Sequence, residues 1–268
     1  MVRHANNRLL QAAQRNKRDE FFTLYADIQR ELQHYPDAFR GKVVYCNCDD
    51  PDTSQFVRYF QDHFQALGLR QVIASCYGDS SLAAGSTSPR GRAVSYEYIG
   101  GQPVIRQLPL EGDGDFHSPA CIRLLEQADV VVTNPPFSLF RDFIRLLAAH
   151  NKQFLVIGNV NAITYKEVFQ LIQENRAWLE VNLGRGISGF VVPEHYDAYG
   201  SEIHANAAGQ RIIATNNCLW LTNLDVNYRH ERLRLTRTYA GHERDYPTYD
   251  NCDGIHVKRT QDIPSDYP

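Results

Sequence analysis

Thr133-Asn134-Pro135-Pro136-Phe137 follows directly on the apolar run Asp129-Val130-Val131-Val132, and its residue types come nearest in the chain to a reaction site. Two consecutive prolines remove two backbone donors and stiffen the loop, so a carbonyl can be held pointing out of it. Asn134 brings a side-chain acceptor to the end of the strand, and Phe137 offers an aromatic face three residues on. Two oxygens that accept from an amino group, with a ring that stacks on the flat body behind it, describe a slot for an exocyclic amine on an aromatic base. A rigid strand-to-helix connection also uses Pro-Pro. An Asn-Pro-Pro-aromatic tetrad placed after a hydrophobic strand with an acidic start is more specific than that.

Other candidates carry less. Asp49-Asp50-Pro51-Asp52-Thr53-Ser54 is dense in turn and cap residues and follows the apolar run 42–47. Six cysteines are scattered along the chain, with only Cys46 and Cys48 closely spaced. No second pair stands at zinc-ligand spacing, so no metal site is expected. Most sit in apolar runs, where a free thiol behaves as a small hydrophobe. Positive charge gathers in three places: residues 1–18, the loop 85–92 with Arg90 and Arg92, and Arg229, Arg232, Arg234 and Arg237. Each reads first as a solvated surface. Three clusters on a chain of net charge -3 make a localised phosphate-binding face plausible.

The elements that must position these residues are legible from periodicity. Leu24, Ile28, Leu32 and Tyr35 have helical spacing, ended by Pro36. Buried strands are expected at 42–47, 71–77, 129–133 and 154–159, with helices over 54–67, 119–127, 138–150 and about 165–176. Alternation around Gly100-Gly101 over 93–109 predicts a β-hairpin. Residues 178–183, 190–192, 212–214 and 218–221 read as further strands, part of them an antiparallel hairpin at one edge. Short apolar strands alternating with amphipathic helices mean an α/β fold with a mostly parallel sheet. In such sheets ligands bind at the carboxyl ends of the strands, near the switch in strand order.

On these residues the chain resembles a family. Asn-Pro-Pro-Phe is similar to the signature of amino-methyltransferases. Asp19-Glu20-Phe21-Phe22-Thr23, residues 41–51 with Cys46-Asn47-Cys48-Asp49-Asp50-Pro51, Gly112-Asp113-Gly114-Asp115-Phe116, residues 184–196 and residues 215–221 resemble the EcoRI-type adenine-specific DNA methyltransferases in particular. The resemblance covers roughly 19–265 and implies a Rossmann-like methyltransferase sheet, S-adenosylmethionine as methyl donor and the N6 of a flipped-out adenine in double-stranded DNA as acceptor. It implies catalytic roles for Asn134, Pro135, Pro136 and Phe137, and a place for Phe190 over the other face of the base. It also implies a cofactor site built from Phe21, Phe22, Thr23, Cys46, Asn47, Asp49, Asp50, Cys76, Tyr77, Asp115 and Phe116. The Gly-rich turn of the wider superfamily is absent after the first strand. Asp49 or Asp50 holds the cofactor's amino group in that reading, and the sequence leaves both open. Family members continue beyond the point where this chain stops.

Composition bounds the rest. Hydrophobic residues make up 43% and charged residues 22% of 268 residues, enough apolar material for a sizeable core, which excludes disordered and fibrous classes. No apolar run approaches the ~18 residues of a membrane span, and the N-terminus lacks a secretory apolar core. A cytoplasmic, nucleoid-associated protein is expected, in a restriction-modification or orphan modification setting. The domain reading is a basic arm over 1–18, a catalytic domain over 19–225 with an insertion at 78–112, and a C-terminal extension over 226–268 that contacts DNA. Two rivals stand: methylation of RNA adenine or protein glutamine, and a non-catalytic binding protein on the same scaffold.

Overall fold

The computed structural model describes residues 22–78, 91–181, 186–192, 203–206, 209–214, 217–231 and 234–267. Four parallel strands make its centre: β2 (Val43–Asn47), β3 (Gln71–Cys76), β6 (Val130–Thr133) and β7 (Gln153–Asn159). Every residue of β2 and β6 is buried. That is why they read as unbroken apolar runs, with no alternation: a parallel strand is covered on both faces. The hairpin of β4 (Arg92–Ile99) and β5 (Gln102–Leu108) adds antiparallel to β3. Gly100 and Gly101, both at positive φ, form its two-residue turn, where the twist of the strands favours such residues. On the far side β12 (Cys218–Thr222) runs antiparallel to β7 and carries the short β8 (Trp178–Leu179). The order is β5-β4-β3-β2-β6-β7-β12-β8.

Helices α1 (Tyr25–Leu32), α2 (Gln55–Asp62), α3 (Pro119–Gln127), α4 (Phe140–Ala149) and α5 (Lys166–Gln173) accompany the sheet. Ser54 caps α2 by accepting from the amides of Phe56 and Val57, and Ser118 caps α3 ahead of Pro119. The apolar faces of α3, α4 and α5 meet the sheet in one cluster that includes Tyr45, Phe116, Phe140, Phe143, Phe154 and Leu171. Gly158 on β7 gives the Phe140 ring its place: a Cβ there would stand 2.6 Å from the ring. Phe140 opens the helix that follows the Asn134 tetrad, so this contact fixes the tetrad's downstream end.

The structure departs from the sequence reading at two points. The strand expected over 178–183 is described only at Trp178–Leu179. More tellingly, β9 (Gly189–Val191) and β11 (Arg211–Ala214) do not join the edge of the large sheet. They pair with β1 (Phe22–Thr23) and β10 (Ile203–Ala205) in a separate antiparallel sheet of order β1-β9-β11-β10. Only β12 and β8 form the expected antiparallel edge.

The chain divides into two compact units, Met1–Asp225 and Val226–Pro268. In the second, Arg237 bridges to Pro264 and Thr248 to Ile255. The Asp266 carboxylate accepts from the amides of Tyr239 and Ala240, and the Tyr239 ring packs against Tyr246 and Tyr267. Among the described residues no helix is long and apolar enough to cross a membrane.

Candidate active site

From β2 the chain steps to β3 on one side and later returns to β6 on the other. The strand order therefore reverses between β2 and β6, and the crevice beyond their carboxyl ends is where α/β sheets bind ligands. The two loops that leave these ends are residues 47–54 and 133–139, the same segments that the sequence marks.

Buried polar side chains tie the strand ends together. The Tyr45 hydroxyl lies 2.6 Å from Ser75 Oγ, and the Asp49 amide donates to the Ser75 carbonyl at 3.0 Å. The Thr133 hydroxyl stands between the Asn47 carbonyl and Asp49 Oδ2, the latter at 2.6 Å. Ser54 Oγ donates to Asp49 Oδ1 at 2.6 Å while capping α2. The strand that carries the tetrad is thus hydrogen-bonded through Thr133 to the carboxylate that follows β2. Cys48, at φ 70, turns the chain sharply between the two.

The geometry separates the two aspartates. Asp50 Oδ1 accepts from the amides of Asp52 and Thr53 and from the Thr53 hydroxyl, and Oδ2 faces Arg92 and the Cys76 thiol. It is a turn former, committed to its own loop. Asp49 is buried, 8% exposed, and its oxygens take hydroxyl donors from Ser54 and Thr133. A buried carboxylate costs free energy unless a cation or several donors offset it. Asp49 is therefore tied into the strand ends, where Asp50 is tied into its own turn. Ser54 engages the amides of Phe56 and Val57 at the start of α2.

The remaining cofactor candidates gather near the end of β3. The Gly78 amide donates to the Asp113 carbonyl at 2.8 Å. A Cβ on Gly114, itself at φ +83, would stand 2.3 Å from the Cys76 carbonyl oxygen. Glycine lets the 112–115 turn press against Cys76, one residue before Asp115. Phe116 is 4% exposed and packs edge to face on Phe143, so its ring belongs to the core. Cys46 is fully buried, and burial pushes its thiol well up. Burial and the neighbouring Asp50 push the Cys76 thiol up to about 12, so Cys76 serves as a donor and packing group. Among the described residues no cluster of His, Cys, Asp and Glu could hold a metal.

Across from these lies the tetrad. Pro135 is buried, and Asn134, Pro136 and Phe137 are half-buried. The Pro136 carbonyl accepts from the Leu139 amide at 2.9 Å, starting the short 3-10 turn Phe137–Leu139. The Phe137 ring meets Phe190 edge to face, with centroids 6.1 Å apart and planes at 71°. Phe190 is paired on β9 with Thr23 on one side and Ile213 on the other, so its backbone is held by two strands. The structure thus brings together three stretches that were separate in sequence: Phe22–Thr23, the tetrad and Phe190.

Arg92 lies within reach of Asp50 at 3.5 Å and Asp52 at 2.6 Å, which engages its charge on the loop after β2. In the second unit Arg234 and Arg237 are exposed, and Arg237 faces Asp262 at 3.7 Å. Phe21, Arg90, Arg232 and the 1–18 arm lie outside the described residues. Sequence reasoning missed Thr133 as more than a strand residue and missed Asp27, a fully buried acid on α1. Thr133 adjoins the tetrad and was open to notice. Asp27 had no signal beyond being an acid in the first turn of a helix.

The site is thus an α/β sheet whose switch point joins a buried carboxylate loop to an Asn-Pro-Pro-Phe turn. The sequence model of the family described as "Adenine-specific methyltransferase EcoRI" matches residues 9–268. Type II methyltransferase M.EcoRI of Escherichia coli is 53% identical over 273 residues, covering 100% of this chain and 84% of that protein. Type II methyltransferase M.MpnI of Mycoplasma pneumoniae is 38% identical over 257 residues, 95% of this chain and 76% of its own length. Type II methyltransferase M.MgeORF184P of Mycoplasma genitalium is 34% identical over 257 residues, covering 95% and 77%. No solved structure matches the chain significantly. The chain belongs to the EcoRI-type adenine-specific methyltransferase family.

Proposed function

We propose that this chain methylates the N6 amine of an adenine swung out of double-stranded DNA, at the crevice between β2 and β6, on a Rossmann-like methyltransferase sheet. It is a site-specific adenine DNA methyltransferase of a restriction-modification kind, acting in the cytoplasm on the nucleoid. One observation supports the site above the others: Asn134 to Phe137 leave β6 at the switch point, beside the Asp49 carboxylate and opposite Phe190.

Asn134 and the Pro135 carbonyl accept the two hydrogens of the adenine amine. Of the two prolines Pro135 is the one used, because the Pro136 carbonyl is committed to Leu139. Accepting both hydrogens draws the nitrogen lone pair out of conjugation with the ring and frees it for attack. Phe137 and Phe190 stack on the two faces of the base, as enzymes acting on a flipped base require. Their rings now touch edge to face, a normal aromatic pair, so a base enters only when one of them turns. Phe190 is held by strand pairing on both sides, so Phe137, at the head of a short turn, is the ring that moves.

The residues fit S-adenosylmethionine. Among the described residues the Asn47 side-chain nitrogen is buried without a hydrogen-bond partner, a donor in want of an acceptor, and Asp49 is a buried carboxylate held beside it. Asp49 would take the ammonium group, Asn47 an oxygen, Tyr77 and Asp115 the adenosine end, and Phe22–Thr23 would lie over the methionine end. When bound, the cofactor supplies a methyl group carried on a sulfonium. Thr133 and Ser54 hold the Asp49 carboxylate in place. The extension over 226–268 and the basic stretches, with Arg229, Arg234 and Arg237 among them, contact phosphates, while Arg92 stays with Asp50 and Asp52.

The test is direct. The purified protein is incubated with duplex DNA and isotopically labelled S-adenosylmethionine, and the DNA is digested to nucleosides for mass spectrometry. Label in N6-methyldeoxyadenosine is expected. Label in N4-methyldeoxycytidine, or no label in the DNA while an RNA added in parallel is labelled, would overturn the reading.

A further inference from the structure

We propose that Asp27 is a positioning residue for the target base, acting through the turn that carries Phe190; this rests on the reading of Phe190 as a base-stacking ring. Asp27 is 0% exposed on α1, and its carboxylate reaches beyond its own helix. It reaches a segment 161 residues away in sequence. The Ser188 amide donates to Oδ2 at 2.8 Å, and the Ser188 hydroxyl lies 2.8 and 2.9 Å from the two oxygens. Arg30, one turn on, stands 3.1 Å from Oδ1 and also reaches the Gly186 carbonyl at 3.5 Å. Asp27 and Arg30 together grip both ends of residues 186–188, immediately before Phe190.

An apolar contact would hold that turn at less cost, since a buried carboxylate must have its lost hydration made up by donors. What a charge with fixed donors adds is direction. Gly189 must approach β11 so closely that a Cβ would stand 2.6 Å from the Ile213 carbonyl oxygen, so the turn has little slack. Releasing Ser188 would let the turn drift and tilt the Phe190 ring away from Phe137. The same α1 follows Phe22–Thr23 directly, the strand that pairs with Phe190. One helix therefore sets the base-covering ring from two sides.

The experiment compares D27N, F190A and the D27N/F190A double variant with the full-length wild type. The DNA is a duplex carrying the methylated site, as found by sequencing modified DNA. Single-turnover methyl transfer at saturating S-adenosylmethionine and calorimetric cofactor affinity are both read. D27N is expected to slow transfer about tenfold or more, the scale of losing a hydrogen bond to a charge, with cofactor affinity near that of the wild type. The double variant should be no slower than F190A, because both changes remove one function. Wild-type transfer by D27N with slow F190A would overturn the Asp27 proposal alone. So would loss of cofactor binding in step with rate, or multiplicative slowing in the double variant. Wild-type transfer by F190A would remove the stacking reading of Phe190 and the proposal with it. If D27N does not fold, S188A and S188T decide: slow S188A with S188T near wild type supports the proposal, and two wild-type rates overturn it.

Discussion

A few single side chains carry the chemistry of the proposed reaction. Phe137 needs only a flat face, so Phe137→Trp should retain much of the activity. Phe137→Ala should lose stacking worth ~1–3 kcal/mol per base. Steady-state methyl transfer on one duplex checks both, and equal loss in the two variants would contradict a stacking role. Thr133→Val keeps the shape of the side chain and removes the donor that stands between Asn47 and Asp49. Leaving such buried acceptors short costs ~1–3 kcal/mol, and weakened S-adenosylmethionine affinity is expected in calorimetry. The thiols provide a third check. Cys252 is exposed and Cys46 and Cys121 are buried, while the Cys76 thiol sits near 12. Iodoacetamide at mildly alkaline pH reacts with thiolates, so peptide mass spectrometry should find Cys252 labelled first and the other three protected until unfolding.

At the scale of elements, what was legible in the sequence was whatever a local pattern could carry. The runs 43–47, 71–76 and 130–133 announced themselves because strands covered on both faces show no alternation of polar and apolar positions. The hairpin announced itself through Gly100-Gly101, and the tetrad through an unusual use of proline. What stayed hidden depends on contacts between distant segments. Phe22–Thr23 pairs with Phe190–Val191 across more than half the chain, and strands of two to four residues carry too little periodicity to declare a partner. The different surroundings of Asp49 and Asp50 were equally out of reach, since both look like turn formers until Thr133 and Arg92 are in place. Gly158 belongs here too, for only its closeness to Phe140 gives it meaning. Gly158→Ala should overpack this contact and cost about 1–3 kcal/mol, read as a lowered Tm. Methyl transfer should fall further than cofactor binding, because Phe140 anchors the tetrad's end of the site.

For the whole molecule the question is how a chain of net charge -3 holds a polyanion. Binding follows where positive charge is gathered, and each phosphate contact adds to the salt dependence. Replacing Arg229, Arg234 and Arg237 together by Gln should weaken binding to all duplexes and flatten the plot of affinity against salt. The base that is methylated should not change, because phosphate contacts carry no sequence information. An unchanged slope would make this segment a solvated surface. Methylation of an adenine amine in the Asn134 slot can be read in cells. Single-molecule sequencing of DNA from cells producing the wild-type protein should show N6-methyladenine in one short sequence context. Cells producing Asn134→Ala, folded and still binding S-adenosylmethionine, should lack that mark. The same mark at the same sites with Asn134→Ala would contradict the account.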